Sequence, residues 1–176
     1  MTEHSGKLPQ NERLIHAYNR MMERVKAALE QAERKTIPAL EHSIEKAKTK
    51  AMDLGELTRE EADRIGEYLK RDLRDVGEFL ADTGGELRDW LHFDIELIED
   101  RLLDMFAAAA DKTRLELLAI EDRAARASQY RTGEITTLGT LECTDCGELL
   151  HFYGTGHIPP CPKCRNTVFV RAVAKE

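Results

Sequence analysis

Apolar residues recur at alternating steps of four and three through Leu14, Tyr18, Met21, Val25, Ala28 and Ala32. That spacing predicts a helix with a narrow apolar seam on one face. Leu40, Ile44, Ala47, Ala51 and Leu54 carry a second seam. Between the two the step is eight rather than seven, and Pro38 stands in the gap. Proline disfavours helical geometry at the preceding Ile37, so a kink or break is expected there. Gly55 should end the second helix, because glycine accepts the left-handed conformation just past a helix C-terminus. In "LTREEADRIGEYLKRDLRDVGEFL", Thr58 and Glu61 form a capping box. Ile65, Leu69, Leu73, Val76 and Leu80 form the buried face, although Gly66 and Gly77 each cost such a helix about 1 kcal/mol relative to alanine. "DTGGE" closes this element, and a third helix is expected from about Glu86 to Tyr130. Its inward positions are Leu87, Leu91, Ile95, Ile98, Leu102 and Met105, with Trp90 and Phe93 as core aromatics.

The grammar changes near Gly133. "EITTLGTLE", "LLHFY" and "TVFVRAV" are rich in β-branched and aromatic residues and read as short strands. "YGTGHIPP" has the glycines and prolines of a loop. The chain therefore divides into a long-helix region, residues 1–132, and a small β region, residues 133–176. The fold class is mainly α: a helical hairpin or coiled-coil-like arrangement whose seams pack on one another, followed by a small C-terminal β ribbon.

Charge adds little to the first region and more to the second. Residues 1–132 hold 22 Lys/Arg and 28 Asp/Glu, whereas residues 133–176 hold 4 and 5. The charge-rich helix faces read as solvated surface with i,i+4 pairs. The formal net charge of −7 argues against a general nucleic-acid coat. The N-terminus, "MTEHSGKLPQNER", lacks a hydrophobic signal core, and the longest strongly apolar run, "MFAAAA", is too short to cross a bilayer. The expected location is the cytoplasm, without membrane association. Thiols stay reduced there, so clustered cysteines point to metal before disulfides.

All four cysteines lie in the second region, as Cys143-x-x-Cys146 and Cys161-x-x-Cys164. Two residues between cysteines let a tight turn aim both sulfurs at one point. Two such turns supply the tetrahedral set that zinc takes in structural sites. A segment this small also needs a staple to be stable. The reading is one structural Zn²⁺ per chain on Cys143, Cys146, Cys161 and Cys164. A reduced, metal-free set, redox thiol pairs and iron in a rubredoxin-like tetrathiolate are the alternatives. His151 and His157 lie between the pairs, but four thiolates already close the tetrahedron, so both read as surface or packing residues. Gly147 follows the first pair where a left-handed residue is often needed. Arg165 holds the same place after the second pair, which leaves that turn's geometry open.

The order of long helices, with "GELTR", "DKTRLE", "GEITTLGTLECTDC" and "CPKC", resembles the YbeL-like family of bacterial zinc-ribbon-containing proteins, over nearly the whole chain. The resemblance implies a helical N-terminal part and a C-terminal ribbon bound through the same four cysteines. It implies no activity.

No Ser/His/Asp constellation or phosphate loop appears, so no catalytic or other cofactor-binding residues are assigned. The leading expectation is a non-enzymatic zinc-binding protein, a helical arm carrying a ribbon for contact with a protein partner. A nucleic-acid-binding ribbon is the first alternative, with Lys163, Arg165, Arg171 and Lys175 beside Phe152, Tyr153 and Phe169. Against it, four thiolates around Zn²⁺ add about two negative charges to an already acidic segment. A rubredoxin-like or thiol redox module is the second. A continuous helix over 86–130 would be about 67 Å long and would overhang its antiparallel neighbour by about 30 Å, exposing Leu115 and Leu118. Either the ribbon folds back over the overhang or two chains share it; an elongated particle that self-associates through that helix is the expected outcome.

Overall fold

The computed structural model describes residues 9–31, 37–83, 86–91, 98–118 and 129–172. Helices α1 (Gln10–Gln31), α2 (Ile37–Asp53), α3 (Arg59–Thr83) and α5 (Asp100–Leu118) pack together as a bundle, and a short α4 (Leu87–Leu91) lies between α3 and α5 in sequence. Most of the predicted seam positions form its core; Leu14 and Ala28 are half-buried, and Ala32 lies outside the described residues. Tyr18, Met21, Val25, Leu40, Ile44, Ala47, Ala51, Ile65, Leu69, Leu73, Val76 and Leu80 are all buried. Leu54, the last position of the second seam, is instead exposed, because the helix has already ended.

That ending follows the glycine signal. Gly55 has φ +66°. Its N–H donates to Met52 O at 2.9 Å, and the Glu56 N–H donates to Ala51 O at 3.0 Å, the paired bonds of a Schellman cap. The capping box opens α3: Thr58 N–H donates to Glu61 Oε2 at 3.0 Å, and Glu61 N–H donates to Thr58 Oγ1 at 3.3 Å. Helices α2 and α3 run antiparallel, as Lys48–Asp63 and Lys70–Glu41 show, with 2.8 and 2.7 Å between the charged atoms.

The single third helix from Glu86 to Tyr130 is not what forms. Ile98 and Glu99 lie outside any helix, α5 starts at Asp100, and Gln129–Arg131 is a strand. Tertiary packing overrides the periodicity. Trp90 of α4 packs between Phe106 of α5 and Gly139 and Arg171 of the β region, and Tyr130 is taken into the sheet. With 19 residues, α5 is about 28 Å long, so the expected 30 Å overhang is not seen among the described residues. The side chains of Leu115 and Leu118 lie outside the described residues, as do Ile95 and Phe93.

The β region forms two sheets. In the larger, β1 (Gln129–Arg131), β6 (Val168–Arg171), β3 (Gly139–Cys143) and β4 (Leu149–Phe152) lie side by side in that order, all antiparallel. In the smaller, β2 (Ile135–Thr136) pairs with β5 (Gly156–His157). The sheet thus begins at Gln129, upstream of the change in composition. "EITTLGTLE" splits at Gly139, whose φ of +132° is open only to glycine without strain. A side chain there would also collide with Arg171 and Trp90, its Cβ falling 2.5 Å from Arg171 Nη1.

A candidate metal centre on a docked ribbon

Cys143 ends β3 and Cys146 lies in the turn that follows, while Cys161 and Cys164 lie in the turn before β6. Both turns have the same backbone construction. Cys143 N–H donates to Glu148 O at 2.9 Å and Gly147 N–H to Cys143 O at 3.0 Å; Cys161 N–H donates to Asn166 O at 2.9 Å and Arg165 N–H to Cys161 O at 2.9 Å. The residue after each pair is left-handed, Gly147 at φ +72° and Arg165 at φ +65°. Arg165 therefore adopts the glycine conformation itself, which answers the geometry its side chain had left open. The Asn166 amide ties the two turns together, Nδ2 donating to Thr144 Oγ1 at 2.9 Å and to Val168 O at 3.1 Å, and lying 3.6 Å from Cys143 Sγ.

These turns bring all four sulfurs within 4.8 Å of one another. Cys143 and Cys164 are 3.5 Å apart and Cys146 and Cys161 3.6 Å. A tetrahedron of Zn–S bonds near 2.3 Å has edges of about 3.8 Å, so the donor set fits zinc in both number and span. Backbone amides of Asp145 and Cys146 point at Cys143, and those of Lys163 and Cys164 at Cys161. Burial alone would raise the Cys143 thiol, but these amides and Asn166 bring it down to about 6. Cys164 goes the other way. The Asn166 amide favours its thiolate, yet burial and three neighbouring thiols push it up to about 12. Four thiols this close cannot all ionise without a cation among them, and a divalent metal supplies it.

A model of the zinc-ribbon containing domain DUF1451 matches residues 27–173. The chain belongs to this zinc-ribbon family. The matched span takes in α2 to α5 and the ribbon, and of α1 only the last turn. YbeL of Escherichia coli strain K12 is 29% identical over 128 residues, covering 73% of this chain and 79% of that protein. The YbeL proteins of the O6:H1 and O157:H7 strains match to the same extent. No solved structure matches the chain.

Neither histidine joins the sulfurs; among the described residues the four cysteines alone form a metal-ligating cluster. His151 is exposed on β4 with Nδ1 2.9 Å from Thr140 Oγ1, and His157 Nδ1 lies 3.0 Å from Gly133 O. The basic aromatic face considered for nucleic acid is not assembled. Arg171 and Phe169 are buried inside, and Lys175 lies outside the described residues.

Arg171 belongs to a buried polar network that the periodicity does not reveal. Asp72 of α3 is wholly buried. It accepts hydrogen bonds from Tyr18 Oη at 2.6 Å, Thr137 N–H at 3.0 Å and Thr136 Oγ1 at 3.2 Å. Arg171 Nη2 lies 3.5 Å from its other oxygen and donates to Tyr130 Oη at 2.7 Å. The Arg171 guanidinium also faces the rings of Trp90 and Tyr130, at 4.7 and 4.6 Å from their centroids. Tyr130 Oη donates in turn to Asp75. Beside it, Arg71 bonds Glu134 and the carbonyl oxygen of Ile135. Burial and the nearby Asp72 carboxylate hold the Tyr18 hydroxyl well above its usual range, so it remains a donor. Ile135 and Leu138 complete the joint by packing into the helical core. One signal for this network was present in the sequence: Asp72 stands in the apolar stripe, three residues after Leu69 and four before Val76.

Proposed function

We propose that this chain is a non-enzymatic zinc-binding protein in which Cys143, Cys146, Cys161 and Cys164 hold one structural Zn²⁺ and the ribbon serves protein contact. The observation that carries the reading is the convergence of four sulfurs on two amide-lined turns of like construction. When bound, the ion supplies charge neutralisation and a four-point crosslink. Four thiolates fill a tetrahedral zinc site and leave no position for water or substrate, which favours structure over catalysis. Strand β4 is one edge of the larger sheet, with Leu149 and Tyr153 exposed along and just beyond it, and this favours a protein partner for the ribbon. A reducing compartment such as the cytoplasm suits thiolate ligands. No described helix is long and apolar enough to cross a membrane.

Metal analysis of the purified full chain tests the metal half of the reading. It expects zinc in a colourless protein, lost on Cys161→Ser substitution. A red, iron-bearing protein would instead establish the rubredoxin-like alternative. The contact half is tested by capture on immobilised protein. Partners retained by wild type and lost with Leu149→Ser support it, and partners retained equally by both forms count against the β4 edge.

A further inference from the structure

We propose that Arg171 couples the metal centre to the helical body, so that metal occupancy of the four thiols sets the stability of α3 and the helices packed on it. The inference rests on the zinc-binding reading above and goes beyond it. A structural metal ordinarily stabilises the small fold that contains it. Here the ribbon's ligands and the bundle's buried charge share one strand.

Strand β6 leaves the second cysteine turn and ends at Arg171. On the neighbouring strand the metal ligand Cys143 lies opposite Phe169, and Leu141 lies opposite Arg171. Metal that fixes the two turns therefore fixes the ladder that positions Arg171. The guanidinium is itself nearly closed to solvent, with a side-chain exposure of 7% against 0% for Asp72. Of the groups that satisfy Asp72, Thr136, Thr137 and Arg171 come from the β region, and Tyr18 and Arg71 from the helices. If the ribbon loosens, a carboxylate set among Leu69, Leu73 and Val76 loses its β-region donors. Trp90 loses the cation over its ring, and the helical core loses Ile135 and Leu138. A buried ionic group deprived of its partner is strongly destabilising. Helices that would stand without metal on the strength of their own seams are thereby made dependent on it.

Coupling of this kind is reciprocal: if metal stabilises the site around Asp72, then the site around Asp72 stabilises metal. This separates it from a ribbon that is merely tethered. The test uses the full-length zinc-loaded chain. Zinc is removed with a strong chelator under reducing conditions, and amide hydrogen exchange is followed by mass spectrometry. Coupling predicts that exchange in α3 around Asp72 accelerates by at least roughly tenfold, with the emission of the single tryptophan shifting to the red. Loss of protection confined to the ribbon, with α3 and Trp90 unchanged, overturns the inference. In the second arm, zinc affinity is measured by competition with a chromophoric chelator. Asp72→Asn should weaken it by at least roughly fivefold, while Arg101→Gln, which breaks an exposed ion pair with Glu23 of α1, should leave it unchanged. Equal affinities for Asp72→Asn and wild type also overturn it. Should Asp72→Asn not fold, the exchange measurement on wild type decides alone. A wild-type chain that binds no zinc fails at the earlier step and removes the metal reading itself.

Discussion

Replacing Arg171 by methionine removes the cation from the buried joint while keeping an apolar side chain of comparable reach. Asp72 would keep the hydroxyl of Tyr18 at 2.6 Å, the Thr137 amide at 3.0 Å and the Thr136 hydroxyl at 3.2 Å. Arg71 Nε would remain 3.5 Å away. Breaking a buried ion pair from one side costs about 3–5 kcal/mol. The three surviving donors and Arg71 place this case at the low end, about 3 kcal/mol. For a chain of this size about 1 kcal/mol corresponds to 2–4 °C, so the zinc-saturated protein should melt roughly 6–12 °C lower. Trp90 fluorescence reports the joint and far-UV circular dichroism the helices; both should shift together. Combining Arg171→Met with Asp72→Asn closes a double-mutant cycle, and residues in direct contact should show a coupling of at least about 1 kcal/mol. A loss below about 1 kcal/mol for Arg171→Met, or strictly additive single variants, would refute the assignment of Arg171 and Asp72 as partners.

Arg165→Gly should stabilise the zinc-bound ribbon by about 0.5–1 kcal/mol, because it relieves a left-handed non-glycine residue against a smaller gain in unfolded-chain entropy. Urea denaturation at saturating zinc measures it, and a clear loss of stability would show that the arginine side chain is needed there. Gly139→Ala should cost at least about 2 kcal/mol, since a Cβ would lie 2.8 Å from Trp90 Cη2 at a φ that alanine does not adopt freely. A red-shifted Trp90 emission and a lowered melting temperature are expected, and an unperturbed protein would contradict the packing described. Glu61 is held below its usual 4.5 by the Arg13 guanidinium, against the opposing effect of burial, with help from the Thr58 amide. Its contribution, about 1 kcal/mol, is therefore complete above pH 4.5 and lost as pH falls through the lower folded value. The stability difference between wild type and Glu61→Gln should shrink below that pH, and a difference independent of pH down to 3 would contradict the ion pair.

The parts legible in the sequence are those in which local chemistry decides. Most seam positions of α1 and α2, those of α3, the Gly55 stop and the Thr58–Glu61 start depend on periodicity and on hydrogen bonds within a few residues, and they form as read, with Leu54 the exception. The cysteine spacing likewise encodes its own turn, and the four thiols come together. The third helix fails for the opposite reason. Its apolar positions fit helical periodicity, but Trp90 is shared between Phe106 of α5 and Arg171 of the ribbon, Tyr130 joins the sheet, and neither the break before Asp100 nor the strand at Gln129–Arg131 has a local signal strong enough to compete. The Asp72–Arg171 pairing spans 99 residues, a separation at which spacing says nothing. A charged residue in an apolar stripe was visible, but the identity of its partner depends on how two regions dock.

Zinc stoichiometry is the most direct test of the account. The full chain, purified without added metal under reducing conditions, should show by native mass spectrometry the mass of one bound zinc ion, with thiols that react only after chelation. Chains carrying no metal, with all four thiols freely reactive, or chains carrying iron in its place, would contradict it.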